Sequence, residues 1–203
     1  MIRKRLFAWL LDRCGGGHER QLAGRKRDLL GSLSGQVVEI GPGTGVNLGY
    51  YRADVRWLGV EPNPYMDGYL ARAAERAGLA IEIRRGVAER LPLADETVDA
   101  VVATLVLCSV ADPAAALAEA RRVLRPGGRF VFLEHVAAPA GTSARRRQEL
   151  IQPLWSFCAD GCHPDRDSES LIRRAGFAEV EVERFDLGMP VVGPHIAGVA
   201  IRP

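Results

Sequence analysis

Two hydrophobic patterns take turns along the chain. Val37 to Ile40, Trp57 to Val60, Ile81 to Val87, Val98 to Val106 and Arg129 to His135 are short apolar runs that read as strands. Val98 to Val106 is almost continuously apolar, the signature of a central strand covered on both faces. Between these runs, apolar positions recur at helical spacing. Ile2, Leu6, Trp9 and Leu10, ringed by Arg3, Lys4, Arg5 and Arg13, predict an amphipathic first helix that Gly15-Gly16-Gly17 ends. Leu22, Leu29 and Leu30 mark the inner side of a second helix over about His18 to Leu33, and a short helix is expected from Val46 to Tyr51. Asn63-Pro64 supplies an N-cap and first-turn proline for a helix carrying Met66, Leu70, Ala73, Ala74 and Ala77 to Gly78. Asp112-Pro113 does the same for one carrying Leu117, Ala120, Val123 and Leu124, and Asp167 caps a third ended by Gly176. Short connections between alternating strands and helices force a parallel, doubly wound α/β sheet with helices on both faces. Ala178 to Phe185 and His195 to Ile201 read as the last strands.

The first strand breaks into Gly41-Pro42-Gly43-Thr44-Gly45. Glycines in such a turn adopt positive φ and let a ligand approach the backbone closely. A dinucleotide fingerprint needs its third glycine one place later, where Val46 stands, and this argues against a nicotinamide oxidoreductase. Glu39 precedes the turn, and the second strand ends in Glu61, near the ~20-residue spacing of a ribose-binding carboxylate. This E-x-G-x-G-x-G pattern with its following glutamate resembles the S-adenosylmethionine site of class I methyltransferases. The resemblance implies a Rossmann-like, seven-stranded sheet, mostly parallel with an antiparallel C-terminal strand. It implies that Gly41, Gly43 and Gly45 pack against the methionine part of the cofactor, that Glu39 sits near its amino group, and that Glu61, with Pro62 and Asn63 beside it, takes the ribose hydroxyls. Gly86 to Leu93 resembles the adenine loop. Val87 stands where many members carry an acidic residue, so Ala88 and Glu89 are the expected adenine contacts. Thr104, Leu105 and Val106, at the carboxyl end of the fourth strand, are expected to flank the reactive methyl group, and S-adenosyl-L-homocysteine is the expected product.

Composition narrows the picture. A chain of 203 residues with 47% hydrophobic and 26% charged residues fits one soluble domain, 1–203, and a formal net charge of +2 gives no electrostatic case for nucleic acid. Four irregularly spaced cysteines argue against a disulfide framework and for the reducing cytoplasm. The apolar start is closed early by Asp12 and Arg13 with no A-x-A site, so a signal peptide is not expected, and no stretch approaches the ~20 apolar residues of a membrane span. The N-terminal helices over 1–34 are expected to cover the site, with weak membrane-surface contact through the first as a functional alternative. The irregular stretch 137–164 reads as a substrate lid.

The acceptor is not named by the cofactor motif. The residues after strand four, Ala103 to Val110, carry neither the Asp/Asn-Pro-Pro-aromatic turn nor the Pro-Cys nucleophile of nucleic-acid methyltransferases, and Cys108 reads as a small buried residue. Thr104-Leu105-Val106-Leu107-Cys108-Ser109-Val110, Arg122 to Gly128, Glu134-His135-Val136-Ala137, Asp160-Gly161-Cys162 and Pro194-His195-Ile196, in that order, resemble the methyltransferase-like protein 7 group, the alkyl thiol methyltransferases. The resemblance implies S-methylation of a small thiol by direct in-line transfer. A free thiol, pKa near ~8.5, is only a few per cent ionised at pH 7, so a helper base is expected. His135, His195 and the Asp160/His163 pair are the candidates. Cys158, Cys162 and His163 lack a matching second pair for structural zinc, and the expected catalysis is metal-free. An N- or C-methyltransferase of a lipid such as phosphatidylethanolamine, or of a quinone, is the alternative; a non-catalytic cofactor-binding scaffold is a third reading.

Overall fold

The sheet explains every other placement. In the computed structural model, which describes residues 2–14 and 16–203, seven strands lie in the order β3-β2-β1-β4-β5-β7-β6. Met1 and Gly15, and the side chains of Ile2 and Cys14, are outside the described residues, as are the readings that rested on Gly15 and on the Ile2 side chain. The elements are α1 (Ile2–Cys14), α2 (Gly16–Leu30), β1 (Gln36–Ile40), β2 (Arg56–Val60), α3 (Asp67–Ala77), β3 (Ile81–Arg84), β4 (Val98–Thr104), α4 (Pro113–Val123), β5 (Leu124–His135), α5 (Ser143–Cys158), α6 (Ser168–Arg174), β6 (Glu179–Asp186) and β7 (Pro194–Ile201). Strands β1 to β5 pair in parallel, and β7 runs antiparallel to both β5 and β6. This is the doubly wound sheet with an antiparallel C-terminal strand that the sequence implies.

The pleat divides the core. Val101, Ala103, Phe130 and Phe132 face Leu117, Ala120 and Val123 of α4 and Ile172 of α6. Ala100, Val102 and Val131 face the layer holding Leu70, Ala73 and Ala74 of α3, Leu30 of α2 and Ala8 of α1. Helix boundaries follow local chemistry. Asp112 Oδ1 accepts from the N–H groups of Ala114 and Ala115 at 3.0 Å, and α3 ends where Gly78 turns left-handed at φ 63°.

Several boundaries differ from the sequence expectation. Gly16 and Gly17 begin α2 instead of ending α1. The segment 46–51 forms only a 3-10 turn, Leu48–Tyr50. The third strand stops at Arg84, and the fourth stops at Thr104 because Leu105 takes φ 57°, which no strand continues through. Leu124 already pairs with Val98, and the register then jumps to Ala100 against Arg129, so Arg125-Pro126-Gly127-Gly128 is looped out of the ladder. The exposed side of α1 is the one expected to be buried: Leu6 is 52% and Trp9 49% exposed, Leu10 is exposed as well, and Ala8 packs into the core.

Candidate functional site

A cavity of about 710 Å3 opens at the carboxyl ends of β1, β2 and β4, the expected crevice of an open α/β sheet. Its floor is the glycine turn. Gly41 (φ 58°) and Gly43 (φ 56°) line it in left-handed conformations, and a Cβ on Gly41 would lie 3.1 Å from Val106 Cγ2. Gly45 (φ 79°) does not line the cavity. A Cβ there would sit 2.9 Å from Ala73 Cβ, so this glycine lets the turn pack against α3.

Two buried carboxylates flank the turn. Glu39 Oε1 accepts from Asn47 Nδ2 at 2.7 Å, and its Oε2 accepts from Tyr51 Oη at 2.8 Å and Trp57 Nε1 at 3.1 Å. Burial raises its pKa against these donors. Asn47 Oδ1, also buried at the cavity wall, has no partner. Glu61 Oε2 accepts from the Gly43 N–H (3.1 Å) and Oε1 from the Asn63 N–H (2.8 Å), with its pKa likewise raised by burial. Each Glu61 carboxylate oxygen has a second lone pair for a hydroxyl donor.

Pro62, Asn63, Ala88, Glu89, Thr104 and Leu105 all line the cavity, as their sequence pattern implies. Glu89 Oε1 also accepts from the N–H groups of Ala111 (2.8 Å) and Asp112 (3.1 Å), tying the expected adenine loop to the segment after β4. That segment is further held by Glu134, whose Oε1 accepts from Val106 (2.9 Å) and Leu107 (3.0 Å).

The expected acid–base groups are distributed otherwise. His135 and His195 are buried off the cavity, directly opposite each other on β5 and β7. His163 bonds Gln152 through Nδ1 at 2.9 Å and is also off the cavity. Asp160 does line it, at φ 48° and 3.3 Å from Arg3 of α1. Within 137–164 it is the one residue that does, although the stretch was expected to be a lid; α5 is held to the body by buried Gln148, which bonds Ala138, Val136 and Val191. Cys158, Cys162 and His163 do not come together: Cys158 is exposed, and Cys162 meets Cys108 and His135 instead.

The roof comes from α1 and α2 and contains the groups that sequence reasoning missed. His18, Leu22 and Lys26 lie one turn apart on one face of α2 and line the cavity. Lys26, 2% exposed, pairs with Glu19 at 2.5 Å, and Glu19 also accepts from Tyr50 Oη at 2.9 Å. His18 Nε2 lies 3.1 Å from His195 Nε2, and His195 Nδ1 lies 2.8 Å from the Gly193 carbonyl. A carbonyl can only accept, so His195 carries its proton on Nδ1 and accepts from His18 at Nε2. The Nδ1 lone pair of His18 is thereby left free. Burial, the largest cause for both, lowers the pKa of His18 and takes His195 down to about 4, so the pair is neutral at pH 7.

A methyltransferase domain family matches residues 38–132. The chain is 37% identical to thiol S-methyltransferase TMT1B of Homo sapiens over 213 residues, covering 98% of this chain and 87% of that protein. It is 36% identical to thiol S-methyltransferase TMT1A of Homo sapiens, covering 99% and 88%. Among solved structures, geranyl diphosphate methyltransferase in complex with S-adenosylmethionine gives a TM-score of 0.72 at 18% identity, covering 90% of this chain and 85% of that one. The [4+2]-cyclase SpnF gives 0.72 at 20% identity, covering 90% and 80%. These two likenesses speak to the fold alone, and a cyclase beside a methyltransferase illustrates why the reaction must be argued from the site.

Proposed function

Because the chain belongs to the class I S-adenosylmethionine-dependent methyltransferases, in the group of the thiol S-methyltransferases, we propose that it methylates the sulfur of a small thiol. The observation that carries this reading is the reach of the likeness: it runs through the roof helices and the C-terminal strands as well as the cofactor half. The cavity size and its largely apolar wall favour a small molecule over nucleic acid.

The residues fit the cofactor. Gly41 and Gly43 leave a backbone cradle without Cβ atoms, Glu61 offers lone pairs for two ribose hydroxyls, and the orphaned Asn47 Oδ1 beside Glu39 is an acceptor for an ammonium group. Lys26 supplies the buried cation for the methionine carboxylate, and Ala88 and Glu89 border the adenine. When bound, S-adenosylmethionine supplies an electrophilic sulfonium methyl group.

The chain's own work is to hold the acceptor in line and to remove its proton. Thr104, Leu105 and Val106 wall the end of β4, where Leu105 is left-handed and its N–H donates to the Leu133 carbonyl at 2.8 Å. His18 Nδ1 takes the thiol proton, and His195 holds the His18 ring in the tautomer that leaves that atom basic. Asp160 acts from the rim, where its pairing with Arg3 closes α1 over the cavity. No step in this scheme requires a metal. No described helix is long and apolar enough to cross a membrane, and the free thiols of Cys108, Cys158 and Cys162 suit the reducing cytoplasm.

Incubation with S-adenosylmethionine and an equal mixture of small thiols, amines, phenols and phosphatidylethanolamine, read by mass spectrometry, tests the proposal. Methyl thioethers are the expected dominant products. A methylated amine, phenol or lipid in their place would transfer the protein to the alternative acceptor classes, and turnover of none of them with cofactor bound would favour a scaffold.

A further inference from the structure

Behind the wall of the cavity, three soft donors converge from separate parts of the chain. Cys108 lies in the loop after β4, His135 ends β5, and Cys162 follows α5. All three are buried, and their ligand atoms lie within 4.8 Å of one another. His135 Nε2 is 3.1 Å from Cys162 Sγ, and Trp155 Nε1 donates to the same sulfur at 3.3 Å. Around a tetrahedral ion with Zn–S of ~2.3 Å and Zn–N of ~2.0 Å, ligand atoms stand about 3.5–3.8 Å apart, so the cluster reaches that arrangement by side-chain adjustment alone.

Next to the cluster, two buried polar atoms of adjacent residues, His135 Nδ1 and Glu134 Oε2, have no hydrogen-bond partner. Charge also balances: two thiolates and one divalent cation sum to zero, which removes the penalty of burying either alone.

We propose that Cys108, Cys162 and His135 hold a thiophilic divalent cation of the zinc class, which staples the chain after α5 to the loop after β4. Both thiol protons leave to solvent as the two sulfur–metal bonds form. The ion has no part in methyl transfer. Its effect on the reaction is positional: Ser109, next to Cys108, and Asp160, two residues before Cys162, both line the cavity, so the staple fixes two walls of the acceptor end. The inference is independent of which acceptor is methylated.

The test is a titration of the full chain, reduced and stripped with a chelator, using Co2+ as the probe. Saturation at a single equivalent is expected, with a sulfur-to-cobalt charge-transfer band and the visible bands of a tetrahedral site, both bleached by Zn2+. Cys158→Ser, whose sulfur is exposed and outside the cluster, should retain the spectrum. Cys108→Ser and Cys162→Ser should each lose at least half of the charge-transfer intensity. The wild-type titration decides alone if those variants fail to fold: no charge-transfer band at saturating Co2+ overturns the proposal. An undiminished band in both folded variants overturns it too, as does a Cys108–Cys162 disulfide in protein purified with Zn2+ present.

Discussion

Glu61 and His18 stand at opposite ends of what a sequence displays. Glu61 follows a strand and a glycine turn within a single βαβ unit, so local spacing was enough to place it at the cavity, and Glu39, Asn63, Gly41 and Gly43 were legible in the same way, whereas Gly45 serves the packing of α3. On the proposed reading, Glu61→Ala removes the acceptor of two ribose hydroxyls. At ~1.5–3 kcal/mol for each hydrogen bond to a charged group, cofactor affinity should fall about a hundredfold or more by calorimetry; unchanged affinity would remove Glu61 from the ribose site. His18 and Lys26 were missed because roof and floor meet only in the folded chain. The available signal was the i, i+4 series His18-Leu22-Lys26-Leu30, in which two polar residues sit on the inner face of a helix. His135 and His195 attracted attention as strand-end histidines, whereas their burial follows from antiparallel pairing that no local pattern reveals. His18→Gln should lower kcat for thiol methylation about a hundredfold at neutral pH with little change in cofactor affinity. His18 faces His195 across the bond, with Glu19 and Lys26 on its own helix and His135 beyond. Its lowered pKa leaves it a free base at neutral pH, so wild-type activity should hold down to pH 6.5 and fall only below. A pH–rate profile of His18→Gln with the same acid limb would remove it as the base.

Among the elements, α1 gives the clearest contrast between pattern and packing. Its apolar residues were correctly read as helical, but they are not the ones that dock: Ala8 goes inward with Phe7 half-buried, while Leu6, Trp9 and Leu10 remain outside among Arg3, Arg5 and Arg13. A small residue is what close helix-to-core contact admits, and hydrophobicity alone cannot register that. An exposed apolar stripe edged with arginines suits the surface of an anionic bilayer. The full chain should co-sediment with phosphatidylserine vesicles and lose most of that binding in Leu6→Ser/Trp9→Ser; equal recovery of the two proteins would leave the stripe without this role. The turn at Gly45 gives a stability prediction. Gly45→Ala places a Cβ 2.9 Å from Ala73 at φ 79°, so a loss of about 1–3 kcal/mol is expected, lowering Tm by roughly 2–10 °C in calorimetry. An unshifted Tm would show that α3 gives way without penalty.

For the molecule as a whole, the strand count and directions were readable because alternating strands and helices and the family resemblance imply a doubly wound, mostly parallel sheet; the strand order itself comes from the structure. The helices over 1–34 were expected to cover the site, but the polar groups they turn inward were harder to see. The stretch 137–164, irregular in sequence, contributes Asp160 to the cavity, while α1 and α2 supply most of its cover. On the proposed reading, cofactor floor, histidine pair and roof together hold and deprotonate a thiol under the N-terminal helices. Formation of the methyl thioether from a single small thiol, followed in wild type, Glu61→Ala and His18→Gln across a range of S-adenosylmethionine concentrations, tests that account most directly. The expected result is wild-type turnover, recovery of Glu61→Ala at high cofactor concentration, and no recovery of His18→Gln at any. Failure of the wild-type protein with cofactor bound to methylate any thiol, or full activity of His18→Gln, would contradict it.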